Sequence, residues 1–263
     1  MPFDILLYVQ SITECFPISS TAHVLLLAKL LHITNPDVFL QQPLLHLIPC
    51  AVFICCFGHE VIEICKCLIR SVKKPALLVN DKSRPATLLR SIFVAVIPTV
   101  LIVFVLSILH IKIQQTLKII AINSIIFGFL LLLVDRWKAN DASNMVTERK
   151  ALFIGLSQIL SVIPGVSRLG ICLTMARLFS LGRRESLTFS GLTAIPVLFL
   201  AGAYSALENL HGQYAIDINF LSVIASFVLG YLSLRIFIRY IGSCSFCFFG
   251  VYRIVLGLFL LFL

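Results

Sequence analysis

The sequence predicts an all-α polytopic membrane protein, and three observations carry that prediction. The chain of 263 residues is 59% hydrophobic and only 13% charged, with a mean hydropathy of +1.03; soluble domains carry about 25% charged residues. Its Leu, Ile, Val and Phe residues fall in long blocks suited to helical membrane spans, not in the alternating pattern of a membrane barrel. Two of those blocks are interrupted in the middle by Gly, Pro and polar residues. Broken backbone of that kind cannot face lipid, where its amides would lack partners, so it has to be buried in protein or line a wet cavity.

In chain order, the first stretch, 3–31, is broken over Glu14, Cys15, Phe16, Pro17, Ile18, Ser19, Ser20, Thr21, Ala22 and His23. Full crossings of about twenty apolar residues follow near 44–64, 88–110 and 118–135. A second interrupted stretch, 151–181, is broken over Ile163, Pro164, Gly165, Val166, Ser167, Arg168, Leu169 and Gly170. Crossings near 187–207, 218–238 and 246–263 complete a single integral membrane domain, 1–263, with about six full spans and two re-entrant helical hairpins. The N-terminus has no basic segment ahead of its apolar run, so no cleavable signal peptide is expected.

The net charge of +9 does not point to nucleic acid, because the basic residues sit in loops between spans. Placing the loop with Lys66, Arg70, Lys73, Lys74, Lys82, Arg84 and Arg90 in the cytoplasm puts Arg136, Lys138, Arg149, Lys150, Arg183, Arg184, Arg235 and Arg239 there too. The other side receives Lys29, Lys112 and Lys118. This positive-inside bias implies that hairpin 3–31 enters from the outer face and hairpin 151–181 from the inner face. Cys50, Cys55, Cys56 and Cys172 lie in apolar stretches, where a thiol acts as a small hydrophobe. Cys244 and Cys247 form a lone C-x-x-C with no second pair, too little for a zinc site.

The hairpins are alike at an offset of 148 residues, where Gln10 meets Gln158, Ser19 meets Ser167, Ala28 meets Ala176 and Lys29 meets Arg177. Pro17 and Pro164 depart from that register by one residue. An inverted-topology repeat is expected, the first half about 1–135 and the second about 150–263, with the broken helices meeting near the midplane; chance likeness of two apolar hairpins is the plain alternative.

Ionisable residues within spans are costly and are functional candidates by default: Glu14, His23, His46, Arg168, Arg177 and Arg253. If the hairpins meet, Glu14, His23, Ser19, Ser20 and Thr21 share one site with Arg168, a residue suited to bidentate phosphate contact. Half-helices beginning after Pro17 and Pro164 would add free N–H groups for an anion. A divalent cation on Glu14 would complete a phosphoryl-transfer site. The structural alternatives are a buried Glu14–Arg168 ion pair, a core His23, hydroxyls that only cap half-helices, and Arg177 and Arg253 snorkelling to an interface.

At these residues the sequence resembles the undecaprenyl-diphosphate phosphatase family of bacitracin-resistance type. Gln10 to His23 is similar to its N-terminal signature, and Ile163 to Arg168 to its P-G-x-S-R-S-x-x-T signature. The segments Ala194 to Pro196, Phe249 to Gly257 and Leu45 to Leu47 are similar to further family segments. The resemblance implies hydrolysis of undecaprenyl diphosphate, an inverted-repeat fold and a divalent cation (Mg2+ or Ca2+) held by Glu14 and Gln10. It places Glu14, Ser20, His23 and Arg168 at the catalytic positions and Ser19, Thr21, Gly165, Ser167 and His46 at substrate. Ser20 as nucleophile with His23 as its base is preferred, and direct attack by His23 is the rival. It further implies a bacterial inner-membrane protein acting at the periplasmic side on a polyprenyl diphosphate, with a homodimer as a further expectation. The alternative function is a lipid-carrier flippase on the same repeat. Acid-phosphatase-like enzymes are disfavoured, since position 173 is Leu where their histidine would fall. Gln10, Ala22, Ile48, Leu169 and Cys172 depart from the family pattern, and the hydroxyls absent at Leu169 and Cys172 are expected to thin the phosphate site.

Overall fold

The structure, a computed structural model, describes residues 2–33, 39–74, 76, 80–111, 113–137, 145–209, 219–242 and 245–263. Lys112, Lys138 and Cys244 lie outside them, and with Cys244 the C-x-x-C reading. Among the described residues the chain is helical, in the order α1 (Pro2–Thr13), α2 (Ser20–Leu30), α3 (Leu44–Cys56), α4 (Gly58–Lys73), α5 (Arg84–Ile108), α6 (Leu117–Trp137), α7 (Glu148–Gln158), a 3-10 turn (Ile159–Val162), α8 (Arg168–Leu178), α9 (Arg183–Asn209), α10 (Phe220–Tyr240) and α11 (Cys247–Leu261).

Four of these, α5, α6, α9 and α10, are long and apolar enough to cross a membrane. Each falls where an apolar block of about twenty residues requires one. The expected full crossing 44–64 is not one continuous helix: α3 and α4 meet at an angle of 89°. The bend comes at Phe57, where the apolar run gives way to His59, Glu60, Glu63 and Lys66. Continuing straight would carry these charges into lipid. Turned aside, α4 exposes Ile62, Ile69 and Val72 beside its charged residues, the pattern of an interfacial amphipathic helix. The expected span 246–263 is also shorter than supposed, since α11 has 15 residues. At 1.5 Å per residue that is about 22 Å, short of a hydrocarbon core of about 30 Å.

Both broken stretches form hairpins with matching backbones. Helices α2 and α8 each have 11 residues, in register at the 148-residue offset. Each follows a serine of positive φ: Ser19 at φ 69° and Ser167 at φ 67°. Each ends on another such residue, His32 (φ 53°) and Ser180 (φ 59°). The closing bonds also correspond, with Ile33 N–H donating to Ala28 O and Leu181 N–H to Ala176 O. A non-glycine residue rarely takes this conformation, and two such pairs at one offset go well beyond shared hydrophobicity.

Packing follows the same exchange of halves. Helix α1 lies on α10 as α7 lies on α5, and α3 packs on α10 as α9 packs on α5. The pairs α3–α9 and α6–α11 join the halves directly. In the second pair the helices cross so closely that a Cβ on Gly128 would stand 2.9 Å from Gly250 O, and one on Gly250 2.7 Å from Gly128 O; small residues allow such contact between membrane helices. Helix α8 is buried on all sides, from Leu169 to Thr174 and at Ala176 and Arg177. It runs through the protein interior, where broken backbone is tolerated.

Candidate active site

The two positive-φ serines open α2 and α8, so the next residues, Ser20 and Arg168, occupy equivalent places at the first turns of the two helices. Both line one cavity of about 330 Å³, with Gln10, Glu14, Ser19, Thr21, His46, Gly165 and Ser167 around it. The two hairpins and α3 therefore bring together every site residue expected from the sequence except His23.

Glu14 sits at the centre. One carboxylate oxygen accepts from Arg168 Nη2 at 3.0 Å; the other accepts from Ser20 Oγ at 2.6 Å and from Gln10 Nε2 at 3.4 Å. The Arg168 and Glu14 side chains are only 8% and 13% exposed. An ion pair this dry contributes little net stability, because desolvation offsets its Coulomb attraction. The Arg168 guanidinium stands over the Phe53 ring at 5.7 Å, and its Nε and Nη1 are buried without a partner. Buried N–H groups left unmade cost about 1–3 kcal/mol each, so these two donors mark a place for an acceptor that the protein does not supply.

The loop before Arg168 is held from two helices. Asn123 of α6 donates to Pro164 O at 2.8 Å. Arg253 of α11 donates through Nη2 to Gly165 O at 2.8 Å and Val166 O at 2.7 Å. Gly165 has φ 90°, and a Cβ there would stand 2.6 Å from Ile120 O, so only glycine fits. Ser167 caps α8 by accepting from Gly170 N–H at 3.2 Å. Snorkelling, the structural alternative for Arg253, does not apply: it is 0% exposed and holds the loop before Arg168. Arg177 also does not snorkel. It is 2% exposed and donates from Nε to Asp135 at 3.1 Å. Asp135, also fully buried, accepts further from Arg183, Ser245 Oγ and the Phe246 amide. Sequence reasoning passed over Asp135, although an acid closing the apolar run of α6 was a readable signal.

His23 lies outside the cavity lining. Its Nδ1 lies 2.8 Å from Ser19 O and its Nε2 2.6 Å from the Tyr252 hydroxyl, with the two rings stacked. Both nitrogens are thus engaged, and Ser20 pairs with Glu14 instead. The expected thinning at Leu169 and Cys172 is also only half realised. Leu169 lines the cavity, but Cys172 turns its thiol to Gln158 Oε1 at 3.3 Å and is no part of the lining.

A resident cation finds a poor ligand set. Among the described residues Glu14 is the one carboxylate lining the cavity, its oxygens already engaged, and no group of three His, Cys, Asp or Glu side chains is placed for a metal.

The family model described as "Bacitracin resistance protein BacA" matches residues 5–259. The chain belongs to this family. A BacA relative from Pelagibacter ubique, named "Undecaprenyl-diphosphatase", is 34% identical over 97% of this chain and 94% of its own. Relatives of the same name from Campylobacter curvus and Sulfurimonas denitrificans are 32% and 30% identical, covering 98% and 96% of this chain and 97% and 94% of their own. Likeness thus runs through both hairpins of this BacA chain and the helices that support them.

Proposed function

We propose that this BacA-family chain hydrolyses undecaprenyl diphosphate to undecaprenyl phosphate and inorganic phosphate, in a bacterial membrane, recycling the lipid carrier used in wall synthesis and so conferring bacitracin resistance. The observation that carries the site assignment is Arg168, which leaves two buried donors free in a cavity shared with Glu14 and Ser20. The whole-length likeness to named undecaprenyl-diphosphatases supports the substrate.

In this reading the terminal phosphate lies against Arg168 and the free N–H groups opening α2 and α8. Ser20 Oγ attacks phosphorus, forming the Oγ–P bond as the bridging P–O bond breaks and undecaprenyl phosphate leaves. The hydroxyl proton passes to Glu14, already 2.6 Å away. Glu14 gives that proton to the departing undecaprenyl phosphate; water then attacks the phosphoserine as Glu14 takes its proton and returns it to Ser20 Oγ as the Oγ–P bond breaks, releasing phosphate. Arg168 holds the charge that builds on the non-bridging oxygens. Glu14 and Gln10 fit a divalent cation only as minority ligands, so Mg2+ or Ca2+ would arrive with the diphosphate, whose oxygens would complete its coordination and whose charge it would neutralise. The basic-residue bias supports a site opening outward, to the periplasmic side, with α4 on the inner surface.

The test is phosphate release from undecaprenyl diphosphate by purified protein, with and without EDTA. Release that EDTA abolishes and Mg2+ restores is expected; absence of release under any cation would defeat the proposal.

A further inference from the structure

The two positive-φ serines are held in different ways. In the second hairpin Ser167 is fixed twice: its Oγ accepts from the Gly170 amide at 3.2 Å and its carbonyl from the Ile171 amide at 2.9 Å. Ser19 makes no such hydroxyl cap. Its carbonyl accepts from the Ala22 amide at 3.2 Å and lies closer still, at 2.8 Å, to His23 Nδ1. Ile171 and Phe104, which stand 148 residues from His23 and Tyr252, carry apolar side chains, so the second hairpin has no counterpart of this contact. A carbonyl only accepts, so the Nδ1 that faces it bears the proton. In its neutral form the ring then presents a lone pair at Nε2, and the Tyr252 hydroxyl 2.6 Å away donates to it. One order of donors follows, from Tyr252 through His23 to the Ser19 carbonyl.

Ser19 precedes Ser20, and the peptide joining them sets the direction of the Ser20 side chain. At φ 69° Ser19 occupies a conformation that is costly for a non-glycine residue, and it stays there only while neighbouring groups hold it. Ser20 Oγ lies 2.6 Å from Glu14 and has to keep that place during its attack. We infer that Tyr252 is a positioning residue for Ser20: its hydroxyl locks the His23 ring in the tautomer that grips the Ser19 carbonyl, and so keeps Ser20 aimed at the phosphate. The inference rests on the hydrolytic reading, in which Ser20 attacks, and gives His23 a mechanical part in place of a chemical one. The residue after Tyr252 extends the argument. Arg253 donates to the Gly165 and Val166 carbonyls at 2.8 and 2.7 Å. Adjacent residues of α11 therefore reach the loops of both hairpins, and one helix aligns the nucleophile of the first with the guanidinium of the second.

The test compares phosphate release from undecaprenyl diphosphate by wild type, Tyr252→Phe, His23→Asn and His23→Gln, each full-length and reconstituted in bilayers. Tyr252→Phe keeps the stacked ring and removes only the hydroxyl; kcat should fall about tenfold, with KM within about twofold of wild type. Asparagine puts an N–H near the place of Nδ1, and glutamine puts one near Nε2. His23→Asn should therefore match Tyr252→Phe in kcat, while His23→Gln falls at least about tenfold lower. Solid-state NMR of protein with isotope-labelled histidine nitrogens, the His23 signals being identified by their loss in His23→Gln, should find the proton on Nδ1 in wild type and shared between the two nitrogens in Tyr252→Phe. Unchanged kcat in Tyr252→Phe, a loss confined to KM, His23→Asn as inactive as His23→Gln (His23 acting on phosphorus itself), or a wild-type proton on Nε2 would each overturn the inference. No release by the wild type would refute hydrolysis instead, and the NMR result would then decide the brace: a proton fixed on Nδ1 only when the Tyr252 hydroxyl is present upholds it, and any other pattern overturns it.

Discussion

At the scale of single residues, the site is a three-way contact between groups that nothing in local sequence joins. Glu14 holds the Ser20 hydroxyl with one oxygen and Arg168 with the other. In the proposed mechanism Glu14→Gln deprives Ser20 of its base and should lower kcat about 10²–10⁴-fold, while leaving the protein folded; single-turnover phosphate release checks it. Arg253 has a separate role, since it touches the loop and not the cavity. Arg253→Met leaves the Gly165 and Val166 carbonyls without donors, and its effect should appear as a raised KM together with loss of thermal stability. An unchanged KM would assign it to stability alone. The motif spacing made Glu14, Ser20 and Arg168 legible as candidates. It could not reveal that Glu14, not His23, holds Ser20, because the direction in which the His23 ring turns is decided by Tyr252, some 230 residues away in the chain.

At the scale of elements, the two half-helices work because each is entered through a serine at positive φ and begins at the cavity wall. The preceding loop tolerates little. Gly165→Ala would combine a strained φ with a clash against Ile120 of α6, at a cost of order 1–3 kcal/mol. It should shift Arg168 and reduce turnover more than it lowers the melting temperature. Element positions were the most readable part of the sequence, since α5, α6, α9 and α10 announce themselves as unbroken apolar runs and the hairpins as broken ones. The 89° turn at Phe57 was not readable, because a window of about twenty residues averages an apolar helix with the amphipathic one that follows. Snorkelling stood as the alternative for Arg177 and Arg253 for a related reason. Sequence places an arginine on a helix but does not show whether a carboxylate or free carbonyls await it inside the bundle.

At the scale of the molecule, what joins the halves is polar as well as apolar. Asp135 gathers Arg177 of α8, Arg183 of α9 and the start of α11. Asp135→Asn strands two arginines, one of them fully buried, and is expected to destabilise the protein by about 3–5 kcal/mol, read as a lower unfolding temperature in detergent. Adding Arg177→Met should return part of the loss, because the deeper of the stranded charges is then gone. The two-fold correspondence of packing supports the proposed repeat, and the proposed chemistry uses the positions at which its halves differ. Position 20 carries a hydroxyl and its counterpart at 168 a guanidinium, so in the proposed mechanism the two hairpins together make one site. The most direct test is therefore phosphate release from undecaprenyl diphosphate by wild type, Ser20→Ala and Arg168→Ala, purified side by side. The account predicts turnover in the wild type and losses of at least about 10³-fold in each variant, with both variants still helical by circular dichroism. Turnover within a few fold of wild type in either variant would contradict it.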